Sequence, residues 1–123
     1  MKTSLIRRSC LAVALVAASL TCATAFAQAK VALEVVIAKP KAGVSLEKLI
    51  AADKKMEQDF VSKQKGFLSR EVAVSKDGEL FVVVHWATLQ DAETAGAAFM
   101  TAPSAKPRME MSDTSLFKHF VVQ

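Results

Sequence analysis

The chain has few of the residues that carry most site chemistry. Its 123 residues include two cysteines, two histidines and one tryptophan, and it contains no tyrosine. It also contains no HExxH motif, no glycine-rich phosphate loop and no Ser-His-Asp arrangement. These absences argue against a zinc hydrolase, a phosphate-loop protein and a serine hydrolase.

The first 29 residues are typical of a cleaved secretory signal peptide. A basic start precedes an uncharged apolar run, 10–20, and small residues near position 27 fit the cleavage rule. The run is shorter than the roughly 20 residues that span a membrane, which disfavours an uncleaved anchor. We therefore expect a signal peptide over 1–29 and one domain over 30–123. The mature protein should begin at Gln28 or Lys30, be secreted to the periplasm and have no membrane contact.

Cleavage changes what the composition implies about partners. It removes both cysteines, Cys10 and Cys22, so the mature chain has no thiol for a disulfide or a cysteine metal site. It also removes three of the 16 basic residues and none of the 12 acidic ones, which leaves 13 against 12. Such a chain lacks the clustered basic surface that nucleic-acid binding requires.

Apolar periodicity in the remaining domain predicts the element order β-α-β-β-α-β. Strands are predicted over 31–38, 67–75, 79–87 and 114–122, a helix of about five turns after Ser45, a helix over 89–100 and a short turn over 108–112. Ser45 and Thr88 suit helix N-caps, and Asp77-Gly78 is typical of a hairpin turn. This order predicts a ferredoxin-like α+β fold, a four-stranded antiparallel sheet with two helices on one face.

The other face of that sheet is predicted to be apolar. Strand alternation places Ala32, Val36 and Ala38 of the first strand there, together with Phe81 and Val83 of the third. Apolar patches of this size are seldom left in water. We therefore expect a homodimer in which two sheets close face to face, as a dimeric α+β barrel.

Two stretches of the chain resemble the antibiotic-biosynthesis monooxygenase family of the dimeric α+β barrel superfamily. They are GFLSREV (66–72) and VVVHWATLQDAETA (82–95). The positions that match the family pattern are Gly66, Phe67, Glu71, Trp86, Thr88, Asp91 and Ala92. The resemblance covers essentially the whole mature chain and is more specific for fold than for chemistry. It implies a dimer and, for some members, oxidation of quinol-like aromatic molecules by oxygen without metal or flavin.

The sequence departs from a haem-degrading branch of the same superfamily. That branch uses an Asn on the first strand, a Trp at the end of the third and a His on the second helix. Only the Trp is matched, by Trp86, because the chain has no Asn and no His between Trp86 and Lys118. Haem or metal binding is therefore the weakest of our functional hypotheses.

Trp86 is predicted to face the helices at the end of the third strand. There it would line a cleft with Met56, Phe60, Phe99 and Met100, and an apolar cleft of this kind could hold a flat aromatic ligand. The alternative is that these residues simply fill the core of the monomer, as Trp, Met and Phe often do.

His85 is predicted to face the inter-sheet space, because it alternates with Trp86. The same alternation groups it into a barrel-face polar cluster of Glu34, Glu71, His85 and His119. This cluster could relay protons, with His85 or His119 as a catalytic base, could bind a metal such as zinc, or could form satisfied polar pairs at the dimer interface. It has no diagnostic ligand spacing, so we predict no metal.

Arg70 and Arg108 are expected at the surface, the usual place for an isolated arginine. The alternative is that they steer an anionic ligand.

Two main functional hypotheses follow. The first is a periplasmic monooxygenase-like protein that oxidises a small aromatic or quinol-type molecule without a cofactor. The second is a non-catalytic dimer that binds a small ligand or serves in a stress response, and the missing Asn and Tyr favour it. The sequence alone does not decide whether the protein is an enzyme.

Overall fold

The computed structural model describes residues 29–123. The predicted signal peptide lies outside them except for Ala29, and so do Cys10 and Cys22. The signal, its cleavage position and secretion therefore stay predictions. None of the helices within 29–123 combines the length and apolar character needed to cross a membrane.

Four antiparallel strands form one sheet in the order β2-β3-β1-β4. The strands are β1 (Ala32–Pro40), β2 (Phe67–Val74), β3 (Leu80–Trp86) and β4 (Ser112–Val121). The central strands β1 and β3 are rich in β-branched residues, which suit a sheet packed on both sides. The predicted Asp77-Gly78 turn joins β2 to β3, with Gly78 at φ +80° and the Ser75 N–H donating to the Glu79 carbonyl at 2.9 Å.

Two main helices pack on one face of this sheet. They are α1 (Leu46–Asp59), between β1 and β2, and α2 (Leu89–Phe99), after β3. Both predicted N-caps are confirmed: Ser45 Oγ accepts from the Lys48 N–H at 3.2 Å, and Thr88 Oγ1 accepts from the Asp91 N–H at 3.0 Å. The predicted ferredoxin-like α+β fold is thus confirmed.

The helix boundaries differ from the prediction at two places. Helix α1 has 14 residues instead of about five turns, because Phe60 leaves the helical conformation and a 3-10 turn (Val61–Lys63) follows. A third helix, α3 (Lys106–Met111), begins two residues before the turn predicted over 108–112. Pro107 lies in its first turn, where the missing N–H costs no helical hydrogen bond.

Gly66 brings the start of β2 close to the start of α2. Its φ of +80° lies in the left-handed region that favours glycine, and a Cβ atom there would collide with the Asp91 side chain. The Gly66 carbonyl also accepts a hydrogen bond from the Ala87 N–H at 2.7 Å. Gly66, Thr88 and Asp91 therefore fix one junction, which explains why they occur together in the sequence pattern.

The register of β1 corrects the predicted division between the two sheet faces. Ala32 lies opposite Trp86, and Val36 lies opposite Val82. Directly opposite residues point to the same face, and these partners are buried on the helix side. The placement of Ala32, Val36 and Ala38 on the helix-free face was therefore wrong. Both faces of β1 are apolar, so alternation alone did not show which set faces the helices.

The helix-free face is nonetheless apolar. We call it the outer face, and it comprises Leu33, Val35, Ile37, Phe81, Val83, Leu116 and Phe120. The prediction for Phe81 and Val83 is confirmed. Phe81 is 42% exposed and Phe120 is 45% exposed, so nothing within residues 29–123 covers them.

Candidate functional site

A cavity of about 400 Å³ lies between the sheet and the helices. All five residues that the sequence places in a cleft line it, namely Met56, Phe60, Trp86, Phe99 and Met100. Trp86 and Met56 are 1% and 4% exposed and belong to the hydrophobic core, so these side chains form part of the core and also border an open space.

The inner face of α2 helps to keep this space open. Ala95 and Gly96 line the cavity, and larger side chains at these positions would occupy part of it. Gly96 lies close to β4, because a Cβ built on it would be 3.6 Å from Phe117 Cζ. Small residues therefore allow α2 to approach the sheet and still leave a void above Val82 and Trp86.

Aromatic edge-to-face contacts shape the cavity walls. The rings of Phe60 and Phe99 meet at 6.0 Å between centroids and 64° between planes. Phe67 supports Trp86 at 6.0 Å and 82°. Met100 and Phe117 line the cavity and are also solvent-exposed, which gives it an apolar mouth. Walls of this kind favour a flat apolar ligand.

Trp86 carries an unused hydrogen-bond donor. The residue is 1% exposed, and its Nε1 is the only buried side-chain polar atom without a partner within residues 29–123. Buried polar groups are usually paired, so this donor is a marked exception. Trp86 also lines the cavity.

Glu34 on β1 is one of the few polar residues that line the cavity, and it is paired with His119 on β4, which is not itself among the described lining residues. These residues lie directly opposite each other, and His119 Nε2 is 3.0 Å from Glu34 Oε2. Their side chains are 13% and 17% exposed. Burial raises the pKa of the Glu34 carboxyl above its ordinary value, while the hydrogen bond and charge of His119 oppose part of this rise.

The predicted barrel-face polar cluster does not form. Glu34 pairs opposite Val84 and faces the helices with His119, whereas His85 pairs opposite Leu33 on the outer face. His85 Nδ1 instead lies 3.1 Å from Ser69 Oγ. Glu71 pairs opposite Val83 and is exposed on that outer face. The error for Glu34 has the same origin as the error for Ala32, because both residues of β1 were assigned to the wrong face of the sheet.

The division of these four residues also bears on metal binding. Within residues 29–123, no group of three His, Asp or Glu side chains converges as a metal site would require. Glu34 and His119 lie on the helix side of the sheet, whereas Glu71 and His85 lie on the outer face. The four side chains therefore cannot bind one shared ion.

The arginines predicted at the surface are buried. Arg70 Nη2 donates to Asp53 Oδ2 at 2.6 Å, and Arg108 Nε donates to Asp53 Oδ1 at 3.1 Å. The Arg70, Asp53 and Arg108 side chains are 2%, 2% and 6% exposed. Arg70 also pairs with Glu57 at 2.9 Å, and Arg108 Nη1 donates to Ser112 Oγ at 3.2 Å.

A sequence signal for this network existed. Asp53 follows Leu49 by four residues and precedes Met56 by three, so it lies on the buried stripe of α1. A carboxylate at such a position requires a buried cationic partner. Arg108 additionally lines the cavity, which makes it the one cationic group in the cavity wall among the described residues.

Comparison with known proteins finds similarity to solved structures and none to sequence families or curated sequences. No protein-family model matches the sequence, and no curated protein matches it either. SnoaB, a cofactor-independent oxygenase from Streptomyces nogalater, superposes with a TM-score of 0.63 at 13% identity, over 77% of this chain and 95% of SnoaB. A protein from Chloroflexus aurantiacus J-10-fl, provisionally assigned as an antibiotic biosynthesis monooxygenase, gives 0.57 at 14% identity, over 76% and 93%. A similarly assigned protein from Nitrosomonas europaea gives 0.56 at 13% identity, over 77% and 90%. The chain therefore has the α+β fold of monooxygenase-like proteins.

Asp53→Asn should lower the free energy of unfolding by about 3–5 kcal/mol, because it leaves two buried guanidinium groups without their shared carboxylate. Urea denaturation followed by circular dichroism measures this loss. The control is Glu110→Gln, which breaks an exposed pair with Lys106 and should cost less than about 1 kcal/mol. A loss for Asp53→Asn as small as that of the control would contradict the proposed importance of the network.

Glu34→Gln should stabilise the protein relative to wild type increasingly as the pH rises from acidic to neutral. The raised pKa means that folding favours the protonated carboxyl, so the wild type loses stability as Glu34 ionises and the amide does not. Urea denaturation at several pH values measures the difference.

His119→Gln provides the opposite comparison. This variant removes the partner that lowers the pKa of Glu34, so ionising Glu34 costs more folding free energy than in wild type. The free energy of unfolding of His119→Gln should therefore fall, relative to wild type, as the pH rises over the same interval. A difference between Glu34→Gln and wild type that does not change with pH would contradict the raised pKa.

Proposed function

We propose that this protein binds a small aromatic molecule in the cavity and oxidises it with dioxygen, without a metal or organic cofactor. The observation that carries the proposal is the open apolar cavity beside Trp86, whose wall includes the Glu34 carboxylate that is paired with His119. The fold shared with a cofactor-independent oxygenase supports it.

The cavity has the size and the lining for such a ligand. Its volume of about 400 Å³ lies within the range of roughly 300–1,000 Å³ for small-molecule sites. Phe60, Phe99 and Trp86 offer rings to a flat molecule, and the apolar walls would exclude water from it. In a cofactor-free oxidation the protein desolvates and orients an electron-rich substrate, and a nearby base removes its proton.

The positions of the two histidines support one choice of base. Of the two histidines considered from the sequence, His85 lies on the outer face with Ser69, away from the cavity. His119 lies on the helix side and is hydrogen-bonded to Glu34. The proposal therefore assigns proton removal to the Glu34–His119 pair.

Ligand binding without catalysis is the second candidate function. The cavity would serve equally well to carry or sequester an apolar molecule, and the absence of Asn and Tyr from the chain favours this candidate. The two functions share the cavity and differ only in whether oxygen is consumed.

The proposal also includes a periplasmic homodimer. The outer face exposes Phe81 and Phe120 on a sheet side that carries no helix, and a second copy of the same sheet would cover them. Secretion rests on the sequence of residues 1–29 alone.

A quinol such as 1,4-dihydroxynaphthalene should quench the fluorescence of Trp86 on binding and should drive oxygen uptake. Trp86 is the only tryptophan in the chain and lines the cavity, so quenching reports occupancy of that site. Ala95→Leu should weaken both signals because its larger side chain occupies part of the cavity, whereas the matched variant Ala98→Leu, at an exposed position of α2, should retain both.

Three other outcomes would decide between the candidates. Quenching without oxygen uptake would favour the binding protein, and quenching by haemin alone would favour a haem carrier. No quenching by either compound would contradict the proposed site.

Light scattering should show a dimer, and Phe81→Glu should convert it to a monomer because the charge would be buried between two sheets. Met100→Gln is the control, since Met100 is also an exposed apolar residue but lies at the cavity mouth. A wild-type monomer at micromolar concentration, or a dimer lost only in Met100→Gln, would contradict this arrangement.

A further inference from the structure

The two members of the Glu34–His119 pair are not equally placed. Glu34 lines the cavity, whereas His119 is not among the described residues that line it. Any ligand in the cavity would therefore meet the carboxylate before the imidazole. This placement differs from the expectation that a histidine acts as the base.

One oxygen of Glu34 is already engaged and the other is available. Oε2 lies 3.0 Å from His119 Nε2, and no residue within 29–123 donates a hydrogen bond to Oε1. Within residues 29–123, Trp86 Nε1 is the only fully buried side-chain polar atom without a hydrogen-bond partner, so Glu34 Oε1 is not fully buried. Since Oε1 lacks a partner and is not among the fully buried atoms, it has accessible surface, and Glu34 is one of the residues that line the cavity.

The surroundings make this oxygen a better proton acceptor than an ordinary glutamate. Val36 and Met56 share the cavity wall with Glu34, and burial raises its pKa. A carboxylate beside apolar walls gains most from a ligand that donates a hydrogen bond to it. The charged groups around it are His119 on β4, Arg70 on β2 and Arg108 on α3.

We infer that Glu34 is the residue that accepts a proton from the ligand, that His119 is a positioning residue for it, and that the ligand is an aromatic molecule with a hydroxyl group. This inference rests on the proposed function. In the step, the hydroxyl O–H bond breaks, the proton forms a new O–H bond with Glu34 Oε1, and the electron pair stays on the ligand oxygen. His119 Nε2 holds Oε2 and so fixes the orientation of the carboxylate.

The test compares binding of 1-naphthol with that of its methyl ether, 1-methoxynaphthalene, by titration calorimetry. The two probes differ in the hydroxyl proton that Glu34 would accept. Wild type should bind the naphthol about tenfold more tightly, the value of one hydrogen bond to a charged group. Glu34→Leu should bind both probes with similar affinity, and His119→Gln should keep a reduced preference for the naphthol.

The pH dependence of this preference tests the positioning role. The preference for the naphthol should disappear as the pH falls through the pKa of Glu34, because the protonated carboxyl is a weaker acceptor. In His119→Gln this loss should occur at higher pH, since the partner that lowers the pKa of Glu34 is gone. A purely structural role for His119 would weaken binding of both probes and leave the pH of the loss unchanged, which would overturn that assignment.

The outcomes separate this inference from the proposed function. Equal binding of the two probes by wild type, or an undiminished preference in Glu34→Leu, would overturn the inference and leave ligand binding in the cavity intact. A preference that survives in Glu34→Leu but is lost in His119→Gln would reverse the two roles and overturn it as well. Failure of wild type to bind either probe would overturn both proposals.

Discussion

The arrangement of the cavity walls depends on the buried ion pairs that the Asp53 carboxylate forms with two arginines. The carboxylate accepts hydrogen bonds from Arg70 on β2 and Arg108 on α3, and so joins α1 to both elements in the protein interior. A movement of α1 that filled the cavity would disturb both ion pairs and leave buried charges unpaired, which is costly. The network therefore holds α1 in place while the space beside Met56 stays open.

That space has the chemistry and the shape that small-molecule sites usually have. Its walls are mostly aromatic and aliphatic, and its polar members are few: the Glu34 carboxylate, the Arg108 guanidinium and the Thr114 hydroxyl. Such a site selects its ligand through a small number of directed contacts, while apolar burial supplies most of the affinity. The outer face is a second apolar surface and lies on the opposite side of the same sheet.

Most of the fold could be predicted from local patterns, because each element carries its own periodicity and its own cap or turn. The cleft residues around Trp86 could be predicted for the same reason. The polar half of the site could not, because β1 is apolar on both faces and its pattern does not reveal which way Glu34 points. Only the register, which pairs Glu34 with Val84 and His119, settles that. Burial of Arg70 and Arg108 was missed because each was considered without Asp53, although that residue lies on the apolar stripe of α1.

The proposed function depends most directly on the open apolar cavity that lies between the sheet and the helices beside Trp86. A crystal structure of the protein under xenon pressure tests it most directly, since apolar cavities of this kind bind xenon. Xenon density between Trp86, Phe60 and Phe99 is the result that this account predicts. A structure in which Met56, Phe99 or Met100 occupies that space, with no xenon bound there, would contradict it.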